Sequence, residues 1–329
     1  MVLSATRMSQ PVSESPASIT VIDREMIEAS GAIEIPDLFK LVPGFQVGHA
    51  NNSTNGPITT VTYHGLTDRY ARHMQVLVDG RSVYTPLFGG VQWDDLPLAI
   101  EDIERIEVIR GPNGVTYGAN AFYGIINIIT REPVLDRGTR VSVLRGDLGT
   151  RKTFVHHGGE VGKLNYRVSA GQREDDGLTP TPDDKRVSLL TFRGDYRATA
   201  RDSFDIQFGY NAGVRGKGDP TSTSNPARDE RIVSRFEQLR WRHVVSADEE
   251  FNLQFYHNYH HASDTYKTAL LSQIYTPAQM LYLAGLGYAD QRINVVGDTT
   301  AERFDVEFFH TTRPWQPLRL VWGAELRFD

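Results

Sequence analysis

The second half of the chain alternates. Phe204, Ile206, Phe208 and Tyr210 interleave with Asp205, Gln207 and Gly209, and Phe251, Leu253 and Phe255 interleave with Asn252 and Gln254. Phe304, Val306 and Phe308 flank Asp305 and Glu307, and Leu320, Trp322, Ala324, Leu326 and Phe328 flank Val321, Gly323, Glu325 and Arg327. A period of two is the mark of strands with one apolar and one polar face. It predicts roughly nine strands between 139 and 329. Before Pro133 the pattern differs. A polar lead over 1–16 precedes a short strand at 17–23, and apolar positions among charges then predict two short helices across 24–44. Gly31 ends the first, Pro36 sits in the first turn of the second, and Pro43-Gly44 stops it. FQVGH, ITTVTYHG, MQVLVDG and RIEVIRG read as short strands, with VDG as a hairpin turn. Residues 17–133 thus form an α+β unit.

The alternation fits a soluble antiparallel sheet with one buried face and equally a transmembrane barrel whose apolar face meets lipid. Three features favour the barrel. The strands are about nine to twelve residues long, which suits a tilted crossing. The polar face carries whole charges at Asp205, Glu307, Glu325 and Arg327. Connections alternate between tight ones, such as 146–151, and long polar ones at 213–231 and 262–298.

Charge and composition narrow the function. The 329 residues carry a net charge of −6, well mixed in sign, which argues against nucleic-acid binding. There is no cysteine, which excludes disulfides, thiolate zinc sites and cysteine nucleophiles. No apolar run approaches the roughly 18 residues of a spanning helix. The lead has no signal-peptide pattern. G-x-S-x-G and H-E-x-x-H are absent, and the carboxylates are scattered, so an enzyme is not expected. Histidines 156, 157, 257, 260 and 261 lie in strand patterns without ligand-like carboxylate spacing, and read as surface or lumen residues rather than metal ligands. No cofactor is implied.

One stretch, IERIEVIRGPNGVTYGANAFYGIINIIT at 103–130, raises a nucleotide loop as a possibility. The spacing from Gly111 to Gly114 breaks G-x-G-x-x-G, no Walker pattern follows, and Gly124 leads into a β-branched strand, not a helix. The glycines instead allow sharp turns and close packing.

The same stretch resembles the C-terminal signature of the plug domain in TonB-dependent outer-membrane receptors. Its counterparts are Arg110-Gly111-Pro112, Tyr117-Gly118, Gly124 and the last strand with Asn127. Upstream, ASITVIDREMI, DLFKLVPGFQV and MQVLVDGRSVY resemble further plug motifs in the family's order. The resemblance implies a lead over 1–11, a plug over 12–133 and the N-terminal part of a barrel over 134–329. The family barrel has about twenty-two strands, so the chain is expected to be part of a longer receptor and not to insert stably alone, since an open edge is not tolerated in lipid.

The resemblance also implies site residues. Val2, Leu3, Ser4, Ala5 and Thr6 resemble the TonB box, a segment that pairs by strand addition with the TonB energy-coupling protein; the alternative is an ordinary ragged terminus. Arg110 stands where the family has a latch to barrel glutamates. His64 stands where it commonly has a second arginine, which puts that ionic anchor in doubt because histidine is mostly neutral at physiological pH. In the apical loop 84–95, Tyr84, Phe88 and Trp93 are candidates for ligand contact through their rings and Asp94 and Asp95 through charge; alternatively Phe88 and Trp93 pack the plug against the wall. Asn51 and Asn52, in the polar stretch 49–57, form a second candidate. The implied function is energised uptake of a scarce ligand, most often a ferric siderophore, at the outer membrane. Cobalamin, haem, another metal chelate or an oligosaccharide are alternative ligands. A passive porin-like barrel and a soluble β-rich binding protein are the alternative classes.

Overall fold

The computed structural model describes residues 11, 17–52, 56–65, 70, 72–87, 89–112, 117–118, 120–178 and 180–329. Strand β1 (Ser18–Ile22) leads into α1 (Arg24–Ser30), where Asp23 caps the helix by accepting from the Met26 amide at 2.9 Å. Gly31, in the left-handed region at φ 68°, ends it as expected. The second predicted helix is instead a 3-10 turn, Ile35–Leu41. Strands β2 (Phe45–Asn52) and β3 (Gly56–Tyr63) form a separate hairpin, so most of 49–57, expected as loop, is strand.

The remaining plug strands are β4 (Met74–Val78), β5 (Arg81–Ser82), β6 (Ile103–Arg110) and β7 (Gly124–Thr130), in one sheet of order β1-β6-β7-β4-β5. Its core is mainly β-branched and aliphatic, with Phe39 among it: Ile22, Leu38, Phe39, Val76, Ile106, Val108, Ile126 and Ile128 are buried. Gly124 explains one of the glycines: a Cβ there would lie 2.5 Å from the Ile109 carbonyl oxygen, so only glycine lets β7 pair so closely with β6.

The rest of the chain is one nine-stranded sheet, each strand antiparallel to the next. The strands are β8 (Gly138–Arg145), β9 (Arg151–Val161), β10 (Leu164–Asp175), β11 (Lys185–Arg197), β12 (Asp202–Lys217), β13 (Arg228–Ser246), β14 (Glu249–Leu270), β15 (Arg292–Trp315) and β16 (Leu318–Phe328). The number matches the pattern, but several strands are longer than its twelve-residue limit; β15 has 24 residues. Their ends are polar on both faces, so alternation fades there, and the expected loops 213–231 and 262–298 shrink to 218–227 and 271–291. The tight turn at 146–150 also lies on the rim that carries 176–184, 218–227 and 271–291. The opposite rim holds 162–163, 198–201, 247–248 and 316–317.

Burial decides between sandwich and barrel. Ile206, Leu239, Phe255, Val306 and Leu326 are successive cross-strand partners on one face, and each is at least 40% exposed. Their chain neighbours Gln207, Gln238, Gln254 and Asp305 point the other way and are at most 5% exposed. A soluble sheet would bury the apolar row; this one buries the polar row beneath the plug and turns the apolar row outward, as a lipid-facing wall does. Near the short-turn rim an aromatic band crosses the outer face. Tyr196 meets Phe204 at 6.5 Å, Phe251 stacks on His310 at 4.3 Å, and His310 meets Trp322 at 5.5 Å.

Candidate functional site: the plug–wall clamp and the rim mouth

The polar inner face of the wall grips the plug at three carboxylates. The first sits in the hairpin turn between β4 and β5. Asp79 and Gly80 both have positive φ, 48° and 86°, the pairing that an Asp-Gly hairpin loop favours. This turn thrusts Asp79 into the wall. Its carboxylate accepts from the Thr130 amide at 2.9 Å, the Thr130 hydroxyl at 2.7 Å and Gln207 Nε2 at 3.1 Å, with Arg193 Nη1 3.6 Å away. Its carbonyl accepts from Gln238 Nε2 at 3.1 Å and from the Arg240 guanidinium. A Cβ on Gly80 would come within 3.0 Å of Arg240 Nη2. Burial alone would raise the Asp79 carboxyl, but Arg193, the two Thr130 donors and Arg240 outweigh it and hold it below its ordinary value.

Beside the turn, Arg81 Nη1 donates to Asn258 Oδ1 at 2.7 Å, and its guanidinium lies 3.6 Å over the Phe236 ring. Asn258 Nδ2 returns a bond to the Ser82 carbonyl at 2.8 Å. Burial brings Arg81 down to about 10, so it stays cationic at neutral pH. The Tyr84 carbonyl accepts from Arg303 Nη1 at 3.0 Å.

The second carboxylate, Asp95, faces His260 Nε2 at 2.9 Å and Arg215 Nη1 at 3.3 Å, while the Ser234 hydroxyl donates to its carbonyl. The third, Asp102, accepts from the Ser169 hydroxyl at 2.8 Å and the Thr191 hydroxyl at 3.1 Å, with Arg167 Nε 3.3 Å off. Their carboxyls shift in opposite directions. Burial would raise Asp95, but Arg215, His260 and Lys185 hold it low. Burial dominates at Asp102 and raises it, Arg167 and the two hydroxyls notwithstanding.

A pH dependence follows. Asp79 and Asp95 have depressed values, so the seating they support is complete above the unfolded value of 3.8 and is lost as pH falls through their folded values. Asp102, raised, works in the opposite sense: its contribution is fullest below 3.8 and fades as pH rises through its folded value. The Thr130 amide, from which Asp79 accepts at 2.9 Å, should therefore lose protection, after correction for its intrinsic exchange rate, as pH falls from 7 to 3. Unchanged protection at pH 3 would contradict this.

Where the plug meets the long-connection rim there is a cavity of about 330 Å³. The hairpin contributes His49, Ile58 and Thr59, the rim Leu148, Thr150 and Leu178, and the wall Arg173, Lys185 and Arg215. Its charges are tied together: Glu34 takes Lys185 Nζ at 2.7 Å and the Arg173 guanidinium, and Lys185 also reaches Asp94 at 3.3 Å. Asp37, 3.6 Å from His49 Nε2, is brought down to about 2 by that histidine and by Lys40.

The expected site residues fall in several places. Val2, Leu3, Ser4, Ala5 and Thr6, and likewise Phe88, lie outside the described residues. Asn51 and Asn52 pair in β2 with Pro57 and Gly56, next to this mouth; their side chains are not among those described. Tyr84 donates its hydroxyl to the Arg72 carbonyl at 3.1 Å. Trp93 is buried in the plug core, 5.1 Å from the Phe39 ring. Arg110 ends β6 opposite Ser18 and Gly124, with its Nε buried and unpartnered among the described residues. His64 lies against Tyr63 within the plug, ring centroids 4.3 Å apart and tilted by 56°. Neither Arg110 nor His64 makes an ion pair with the wall among the described residues. The charged contacts include Asp79, Arg81, Asp95 and Asp102 instead, beside Glu34 and Asp94 at the mouth; sequence reasoning named Asp94 and Asp95 only as candidate ligand charges, and only the VDG turn signalled Asp79. No group of three or more His, Asp or Glu among the described residues is placed to hold a metal ion.

The comparisons with known proteins agree with this architecture. The family model described as the TonB-dependent receptor plug domain matches residues 11–125. The chain is 29% identical over 222 residues to the vitamin B12 transporter BtuB of Vibrio vulnificus, a match covering 65% of this chain and 34% of that protein. It is 31% identical over 232 residues to the iron-regulated outer membrane virulence protein of Vibrio cholerae, covering 64% and 33%. The fold matches the ferric-catecholate import receptor Fiu of E. coli K12 with a TM-score of 0.69 at 15% identity, over 99% of this chain and 51% of that one. It matches the pyoverdine receptor FpvA of Pseudomonas aeruginosa PAO1 with a TM-score of 0.73 at 15% identity, over 99% and 48%. The chain thus spans about a third of the length of the curated relatives and about half of the solved receptors. It therefore carries a TonB-dependent receptor plug domain over residues 11–125, clamped by charges against an inside-out antiparallel wall of the fold seen in outer-membrane receptors.

Proposed function

We propose that the receptor to which this chain belongs takes up a ferric siderophore by energised transport. Ligand binds at the rim mouth between the β2–β3 hairpin and the long connections. TonB pairs as an added strand with Val2–Thr6 and pulls. The clamp at Asp79, Asp95 and Asp102 then yields, and the plug rearranges to open a path. No bond is made or broken, so no catalytic residue is needed. Arg110 and His64 act as further anchors of the plug, and Tyr84, Phe88, Asn51 and Asn52 as ligand contacts. The observation that carries this reading is the polar plug–wall interface: a passive pore needs no plug, and a permanent plug would be sealed by apolar packing. The siderophore is supported by the iron-regulated relative. Cobalamin is the second reading, favoured by the relatives named as vitamin B12 transporters.

Deleting residues 2–7 should abolish energised uptake while leaving ligand binding at the cell surface intact. Uptake at the undeleted rate would sink the proposal. Competition between labelled ferric siderophores and cyanocobalamin for surface binding separates the two ligand readings.

A further inference from the structure

The wall carries a basic stripe that the transport reading does not use. One cross-strand row of the outward face runs Arg145, Arg151, Glu174, Arg186, Val214 and Arg231 across β8 to β13. All four arginines are exposed. Glu174 accepts from Arg151 Nη1 at 3.4 Å and from Arg186 Nε at 3.2 Å, so one carboxylate serves two guanidiniums. Arg145 faces Arg151 directly across the strand pair, and no carboxylate partner for Arg145 or Arg231 is found among the described residues. Like charges directly opposite are destabilising in a sheet. The row therefore holds an unbalanced positive charge that an external anion would relieve.

Its height identifies the anion. On β11 the exposed Leu190 lies between Arg186 and Tyr196 of the aromatic band. Ten positions at about 3.3 Å each make about 33 Å along the strand, or about 25 Å along the membrane normal at a tilt of about 40°. That is the height of the apolar belt of such barrels. The arginines thus stand one hydrocarbon thickness from the aromatic band, on the side of the long, outward connections. We propose that this stripe binds the phosphates of a phosphorylated glycolipid in the outer leaflet. Guanidiniums match phosphate oxygens in a bidentate fork, and the site is continuous with the lipid-facing belt below it. The proposal rests on the outer-membrane location and not on the identity of the transported ligand.

The test uses the receptor purified from outer membranes, stripped of lipid in detergent and titrated with bisphosphorylated lipid A under native mass spectrometry. Wild type should bind bisphosphorylated lipid A at least tenfold more tightly than the fully dephosphorylated lipid. The combined variant Arg145→Gln, Arg151→Gln, Arg186→Gln should lose that preference, lysine at the three positions should retain part of it, and inorganic phosphate at equal concentration should not compete. Equal affinity of wild type for both lipids would overturn the proposal, as would an undiminished preference in the glutamine variant. Displacement by inorganic phosphate would also overturn it, marking a free-anion site. If the glutamine variant is not recovered, the wild-type comparison of the two lipids decides alone.

Discussion

Replacing Asp79 by alanine should unseat the plug from the wall. The carboxylate gathers the Thr130 amide and hydroxyl and Gln207, with Arg193 close by. Alanine leaves these donors buried without it, and removal of one partner from a buried charged cluster costs about 3–5 kcal/mol. The Asp79 carbonyl keeps its bonds to Gln238 and Arg240, so the hairpin stays nearby but is no longer locked. The expected readout is a rise in ion conductance through the receptor in planar bilayers and faster proteolysis of the plug. Asparagine tolerates the positive φ and keeps an acceptor, so Asp79→Asn should fall between. Conductance at the wild-type level in Asp79→Ala would show that the clamp does not hold the plug.

The second large effect concerns the outer face. Leu239→Arg should sharply reduce assembly into the outer membrane, because an arginine near the middle of the apolar belt costs about 2–4 kcal/mol. Leu239 is 43% exposed. At such a site on a water-soluble sheet the same change would fall within about 0.5 kcal/mol of neutral. Heat-modifiable protein in outer-membrane fractions measures the outcome. Wild-type recovery of Leu239→Arg would return the chain to the soluble class.

The wall is legible in the sequence because alternation reports facing: Phe304, Val306 and Phe308 against Asp305 and Glu307 place one strand with its two environments. Which environment is lipid is only partly legible: strand length, whole charges and connection lengths lean to a barrel, but Leu239 and Gln238 alternate identically in a sandwich, and burial separates the two. The strand ends escape the pattern where both faces turn polar, as along β14 beyond Tyr259. In the plug the glycine and proline punctuation locates α1 and the Asp79-Gly80 turn. The clamp stays hidden because its partners, such as Asp79 with Gln207 or Asp95 with His260, lie more than a hundred residues apart and meet only in the folded chain. The resemblance directs attention to Arg110 at the end of β6 and His64 just after β3, while the paired charges sit in the β4–β5 turn and in the connection between β5 and β6.

The face that Gln207, Gln238, Gln254 and Asp305 present to the plug has a thermal consequence. Parting plug from wall exposes mainly polar surface. Apolar exposure raises heat capacity and polar exposure lowers it, so undocking should carry a small or even negative heat-capacity change, unlike unfolding of the plug's isoleucine core. The free energy of seating should then vary almost linearly with temperature. The grip on the plug should therefore change steadily with temperature and show no maximum, while the stability of the domain itself follows a curved profile.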